Sequence, residues 1–483
     1  MKVPEEIRKV ERPKNTVVEC TGKEGKNMYP VRERAGVKYV KGSNPQPHNG
    51  KVVGHIIDGK FVPVGKKMSE KAESLSYGAA AMIKQVSRDI LDDLMAVYPL
   101  NYAYTIMAIA ALQVERPNIT VSRYASRYSA SFLSEYYDGA ALSQSSVVKL
   151  LKSIGMNDSF REEFFQKRIS RLESDSHILI DGTLKENNSE TNDLSHYTFK
   201  SKLKGSQSIS VIYAYDLENG EPLCCSVYPG NHLDSVAYAD FLTRNSLTKG
   251  IIIDDKGFPV KKIAEILKNN KDLHFLTPIE RNDTRIDDNK MLEFNEVIQG
   301  IEENVLAKKM QIKGGRYLYA FKDCYKASKE LTTSIKNSKL NGNFNPEKFA
   351  ESEQDFGTIV FESDLDISCK EAYECYASRW ELELVFKSYK SELEFSATHK
   401  HGDFSVFGAE FINFISTLIT RRIINKFKSL DLLKNDTYGN LMEDLSMAWR
   451  KNIKNDAPDS KDSNWVHANV GTLELMKKLG LCE

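Results

Sequence analysis

Residues 178–183 read Ile-Leu-Ile-Asp-Gly-Thr, and residues 251–255 read Ile-Ile-Ile-Asp-Asp. Each is a short run of branched apolar residues that ends in a carboxylate, and such runs signal buried strands. A carboxylate at a buried strand end is expensive unless it is paired, hydrogen-bonded or bound to a metal. Asp is also an ordinary turn and N-cap residue, so one such end says little. Two of them on adjacent pieces of one sheet say more. Between and after them lie strand patterns at Ile209–Tyr215, Pro222–Tyr228 and Leu273–Leu276, and helical patterns at Leu233–Leu242 and Pro259–Asn269. Three strands followed by strands alternating with helices predict a mixed α/β sheet.

On the N-terminal side, residues 1–67 hold six of the fourteen prolines and short β-like runs, with Asp58-Gly59 as a hairpin turn signal. They carry fifteen Lys/Arg against seven Asp/Glu, an excess of eight on a chain whose net charge is zero. A basic arm on a neutral body points modestly to a polyanion, and equally to a solvated tail. Residues 68–170 read as helical, with Ala72–Ala96 and Tyr102–Leu112 carrying few breakers. Ser143 and Gly155 frame a short helix, Gln144–Ile154, whose polar face suits a DNA groove or plain solvent. On the C-terminal side, residues 278–370 are less regular, with strands expected at Tyr317–Phe321 and Thr358–Phe361. A long helical pattern follows at 371–394, then an apolar helix at Phe404–Phe427, then a polar, helical, peripheral tail at 428–483.

Several classes are excluded. The 483 residues are 41% hydrophobic and 28% charged, ordinary globular usage, and at ~100–200 residues per domain they suggest about three domains. The most apolar stretch, Phe404–Ile424, is interrupted by Glu410, Asn413 and Arg421, so no spanning helix is expected. The N-terminus lacks the apolar core of a signal peptide. Seven cysteines without a Cys-x-x-Cys spacing suggest neither a zinc ribbon nor a disulfide framework, and a cytoplasmic location is expected.

The helix at 371–394 carries the next signal. At about 100° per residue, Tyr376, Arg379, Glu383, Lys387 and Lys390 share one stripe roughly 80° wide. On a solvated face Arg379 and Lys387 would pair with Glu383 at i,i+4. The alternative is a metal-binding carboxylate flanked by cations that hold phosphates.

Tyr376-x2-Arg379-x3-Glu383-x6-Lys390 resembles the Y-R-E-K signature of DDE transposases of bacterial insertion sequences, in the family founded by insertion sequence number four. Ile180-Asp181-Gly182-Thr183 is similar to that family's first catalytic Asp motif, and Asp255-Lys256-Gly257-Phe258 to its second. Lys204-Gly205, Pro222-Leu223 and Tyr228-Pro229-Gly230-Asn231 with Asp234 resemble the segment that follows the first motif. The resemblance covers about residues 175–425.

It implies an α/β fold with a ribonuclease-H-like catalytic core and a β-rich insertion, preceded by a small β-rich arm and a helical DNA-binding region. The implied boundaries are 1–67 for the arm, 68–174 for the helical domain, 175–277 for the first part of the core, 278–370 for the insertion, 371–427 for the second part of the core and 428–483 for a C-terminal helical region. Asp181, Asp255 and Glu383 would be the catalytic triad and the ligands of two Mg²⁺ ions, with Mn²⁺ as a substitute. Tyr376, Arg379, Lys387 and Lys390 would contact DNA. The partners would be the element's terminal inverted repeats and target DNA, bound by a homodimer on paired ends. Asp254 sits directly before Asp255; the Gly-Phe spacing favours Asp255. The insertion has no Trp to stack a flipped base, and Tyr317, Tyr319 or Phe321 would have to replace it. A metal-dependent nuclease on the same core, and a catalytically retired DNA-binding descendant, stay open beside the transposase.

Overall fold

The computed structural model describes residues 3–20, 28–38, 46–63, 74–187, 189–198, 205–231, 234–253, 260–342, 344–377, 385–398, 400–451 and 466–482. The chain forms two units, Met1–Glu73 and Ser74–Glu483. In the first, strands Thr16–Val18, Met28–Lys38, Gln46–Ile57 and Lys60–Pro63 form an antiparallel meander. Asp58 and Gly59 join the last two with φ of 49° and 74°. Two successive positive φ angles suit a two-residue hairpin turn, where Asp-Gly is a favoured pair.

The second unit is built on a ten-stranded sheet. Its centre comprises β1 (His177–Glu186), β2 (Gln207–Asp216), β3 (Glu221–Pro229), β4 (Lys249–Ile253) and β5 (Asp272–Pro278). The spatial order is β3-β2-β1-β4-β5, with β1 antiparallel to β2 and parallel to β4, and β4 parallel to β5. These strands contain the five expected from the apolar runs, and helices Asp234–Arg244 and Val260–Asn269 stand where the pattern put them.

Beyond β5 the sheet continues through β8 (Thr358–Ser363), β7 (Arg316–Asp323) and β6 (Val305–Ile312), all antiparallel. Segment 278–370 therefore extends the main sheet. It also holds a short helix, Thr284–Asp288, and two longer ones, Cys324–Asn341 and Pro346–Asp355, where a β-rich segment is expected. The first of the two longer helices buries none of its residues. Its apolar stripe is narrow, Ala327, Leu331 and Ile335 at i, i+4 and i+8, and among otherwise polar residues it is a weak signal. A small second core of Ile279, Ile286, Met291, Leu318, Ala320 and Val360 backs these strands.

One hydrophobic core runs from Leu75 to Cys482 and takes in helices and sheet alike. Helices α1 (Leu100–Glu115) and α2 (Gln144–Met156) pack on α4 (Asp403–Ser429), with α3 (Cys369–Ala377) between β8 and α4 in the chain. Arg422 of α4 makes paired bonds to Asp89 (2.5 and 2.9 Å) and to Glu221 of β3 (2.5 and 3.1 Å). Arg168, on the helix before β1, bonds the same Glu221 at 2.5 Å. The helices of 78–169 are thus tied to the sheet by charge as well as by apolar packing. The polar tail also contributes strands: Trp449–Lys451 pairs with Val466–His467 and with Ser74–Ser76.

The Ser143 hydroxyl caps α2 by accepting from the Ser146 amide at 3.2 Å. Gly155 does not end the helix as expected; it lies inside α2. A Cβ there would stand 1.7 Å from the Phe404 carbonyl oxygen, and one at Gly408 would stand 2.0 Å from that of Leu151. These two glycines allow the α2 and α4 backbones to touch. Gly408→Ala should destabilise the chain by about 2 kcal/mol, the scale of overpacking. Urea denaturation checks this, and an unchanged midpoint would show that the helices can part freely.

At the end of α1, burial pushes the Glu115 carboxyl up to about 7, only partly offset by the Ser131 hydroxyl that donates to it at 3.0 Å. A raised carboxyl holds its proton longer in the folded chain than in the unfolded one. Stability should therefore fall as pH rises from about 4.5 through 7. Glu115→Gln should remove that loss, making the variant more stable than wild type at pH 8 by at most about 3 kcal/mol. Melting curves at pH 5 and pH 8 read the difference.

Candidate functional site

Asp181 follows three fully buried residues of β1 and is itself partly exposed; it does not end the strand as expected, because β1 keeps pairing with β2 as far as Glu186 and Asp181 lies opposite Tyr213 in mid-strand. Its Oδ1 accepts from the Gly182 amide at 2.7 Å. Neighbouring β4 lies parallel in the register Ile251–His177, Ile252–Ile178, Ile253–Leu179. Asp181 comes two residues after Leu179, and Asp255 comes two residues after Ile253. Asp254, Asp255, Arg379 and Glu383 lie outside the described residues, as do Lys204, Lys256, Gly257 and Phe258.

Tyr376 lies in the last turn of α3, partly buried, with its ring 4.6 Å from that of Phe361 on β8. Tyr373, one turn earlier, meets Phe321 of β7 at 5.4 Å. Aromatic packing thus seats α3 against β7 and β8. A cavity of about 330 Å³ opens beside Tyr376, lined in part by Tyr373, Phe321, Arg281 and Lys326.

Residues 388–392 form a π-helical turn, closed by the Leu393 amide on the Ser388 carbonyl at 3.0 Å. Lys387 is exposed and Lys390 partly buried. A π turn bonds i to i+5 and is wider than an α turn. The stripe from Tyr376 to Lys390 assumes a uniform α-helix, and the π turn shifts the phase of Lys390, its last member. The expected base-stacking aromatics also separate. Tyr319 and Phe321 are fully buried, and the Tyr319 hydroxyl donates to Leu365 O at 2.7 Å. Only Tyr317 of the three is partly exposed, with Lys309 5.0 Å from its ring centre.

A buried polar group lies further along β1, the strand of Asp181. Along a strand, residues two apart share a face, so Asp181, Thr183 and Lys185 lie on one side of β1. Lys185 is 2% exposed and donates to Glu410 of α4, 1% exposed, at 2.6 Å. Glu410 also accepts from the Tyr389 hydroxyl at 2.5 Å and from Asn413 Nδ2 at 3.1 Å. Burial first, and the Glu410 carboxylate next, push the Tyr389 phenol well above its ordinary range, so it stays a donor. Part of the signal was present, since Glu410 interrupts an apolar helix, whereas Lys185 is marked by nothing in its neighbourhood. Backbone bonds add a second tie, Glu186 N to Ser396 O at 3.0 Å and Thr398 N to Glu186 O at 2.8 Å. Among the described residues no group of three or more His, Cys, Asp or Glu could hold a metal ion, and no helix is long and apolar enough to cross a membrane.

The family described as Transposase DDE domain matches residues 173–419, just over half of the chain. The chain belongs to that family. It is a transposase by domain, an enzyme class that acts on DNA. The match spans β1 through most of α4, so Asp181, Lys185 and Glu410 all fall inside it. Comparison with curated proteins finds no match. Among solved structures, the piggyBac transposase synaptic complex with hairpin DNA is similar at 11% identity, with a TM-score of 0.40 and 77% of each chain covered.

Proposed function

We propose that this chain is a cut-and-join transposase of the insertion sequence four type, with a ribonuclease-H-like core that carries Asp181, Asp255 and Glu383 as its metal ligands. The observation that carries the reading is the register of β1 and β4. Leu179 and Ile253 are partners, and each candidate carboxylate follows its partner by two residues. The strand order β3-β2-β1-β4-β5, with only β2 antiparallel to β1 at its centre, supports the core assignment.

The donor set is three carboxylates, without thiolate or imidazole, which suits a hard cation such as Mg²⁺ better than zinc. When bound, two such ions would activate water and then a 3′-hydroxyl and stabilise the leaving oxygen. The chain's own residues hold the ions and place the DNA. Tyr376, Arg379, Lys387 and Lys390 neutralise and orient the backbone, a positioning role that carries no sequence information. Recognition of the terminal repeats falls to residues 1–67 and 68–174. Two ends must be held together for joining, so the working form is a homodimer on paired ends.

The test uses DNA flanking the chain's own gene, 3′-end-labelled, incubated with wild type in Mg²⁺ and in EDTA. Cleavage at the element boundary and joining to a target, both lost in EDTA, are expected. Cleavage without joining would replace the proposal by a nuclease. Binding without cleavage under any divalent metal would make the chain a retired DNA-binding copy.

A further inference from the structure

We propose that Glu410 and Tyr389 are positioning residues for the metal site, with Lys185 as their anchor on β1. The proposal rests on the reading of Asp181 and Glu383 as metal ligands. Its basis is one buried carboxylate bonded to both chain segments that lead to them.

Lys185 comes four residues after Asp181 on the same face of β1. Tyr389 comes six residues after Glu383, in the π turn. Both donate to Glu410, one to each carboxylate oxygen, at 2.6 and 2.5 Å. Val385, Tyr389 and Leu393 are each 0% exposed, so apolar packing fixes the segment that begins two residues after Glu383. The hydroxyl of Tyr389 then sets its register against α4. Phe395 N on Tyr389 O at 3.0 Å and the 396–398 pairing with Glu186 return the chain to β1.

Apolar residues of similar volume would fill this space at equal or better stability, because two buried charges are costly to desolvate. A network of directional bonds does what apolar packing cannot: it selects one register. A π turn at this point has the same character, since such turns are unfavourable and cluster at functional sites. Together they point to geometry rather than stability as the role of the network. Groups bonded directly to ligands commonly change metal affinity by about 10–100-fold; this network acts further out, through the backbone of β1 and of the π turn, so the lower end of that range is expected.

The experiment uses the full chain with labelled end DNA and three variants: Tyr389→Phe, the charge-free pair Lys185→Met/Glu410→Leu, and Glu383→Ala. Three readouts are taken: melting temperature, Mn²⁺ binding by electron paramagnetic resonance, and the Mg²⁺ dependence of single-turnover cleavage. Tyr389→Phe should melt near wild type and bind ends normally. It should bind Mn²⁺ about tenfold more weakly and need about tenfold more Mg²⁺ for half-maximal cleavage. The charge-free pair should show the same metal defect without a loss of melting temperature. Wild-type Mn²⁺ binding and Mg²⁺ dependence in both would overturn the proposal and leave the network a packing feature. Glu383→Ala separates the two levels. If it retains metal binding and cleavage, the ligand reading fails and takes this proposal with it. If it loses both while Tyr389→Phe and the charge-free pair match wild type, only the positioning role falls.

Discussion

Asp181→Ala should lower end cleavage by at least about a thousandfold, the scale of several kcal/mol of lost transition-state stabilisation. DNA-end binding should change little, because the carboxylate makes no favourable contact with phosphate. The physical reason is position. Asp181 emerges partly exposed from three buried residues beside the end of β4. A small residue there leaves strand pairing intact, so the melting temperature should stay near wild type. Asp255→Ala and Glu383→Ala should behave alike. Gel-shift and single-turnover cleavage on the same labelled DNA separate the two effects. Cleavage within tenfold of wild type would remove Asp181 from the triad.

Lys185→Met should destabilise the fold by about 3–5 kcal/mol, the cost of leaving a buried carboxylate without its counter-charge. Glu410 is 1% exposed and cannot turn to water. Tyr389 and Asn413 remain as donors and soften the loss, but neither carries charge. Denaturant titration at pH 8 checks this. A midpoint equal to wild type at pH 8 would mean that Tyr389 and Asn413 satisfy the buried carboxylate without its counter-charge.

These two residues mark different limits of sequence reading. Asp181 was legible because a carboxylate directly after three apolar strand residues is costly to bury without a partner, although the strand runs on past it to Glu186. Lys185 was not singled out, although it lies on the same strand four residues later. A lysine in a strand is ordinary at a surface, and only the fold shows that α4 and the π turn cover it. Gly155 was placed correctly in its helix neighbourhood but given the wrong reason. Its distance to the Phe404 carbonyl exists only once α2 and α4 cross. The π turn at Ser388–Glu392, which turns Lys390 away from the phase of a uniform α-helix, leaves no mark in composition.

Local chemistry therefore determined the elements: five central strands from apolar runs, the Ser143 cap and the Asp58-Gly59 turn. Those features depend on residues adjacent in the chain. Long-range packing decided that β6, β7 and β8 extend the main sheet, that the helices of 78–169 share its core, and that Lys185, Tyr389 and Glu410 meet. The pair Lys185 and Glu410 is 225 residues apart in sequence. No local pattern encodes a contact at that separation, because only the folded backbone sets which buried charge finds which partner.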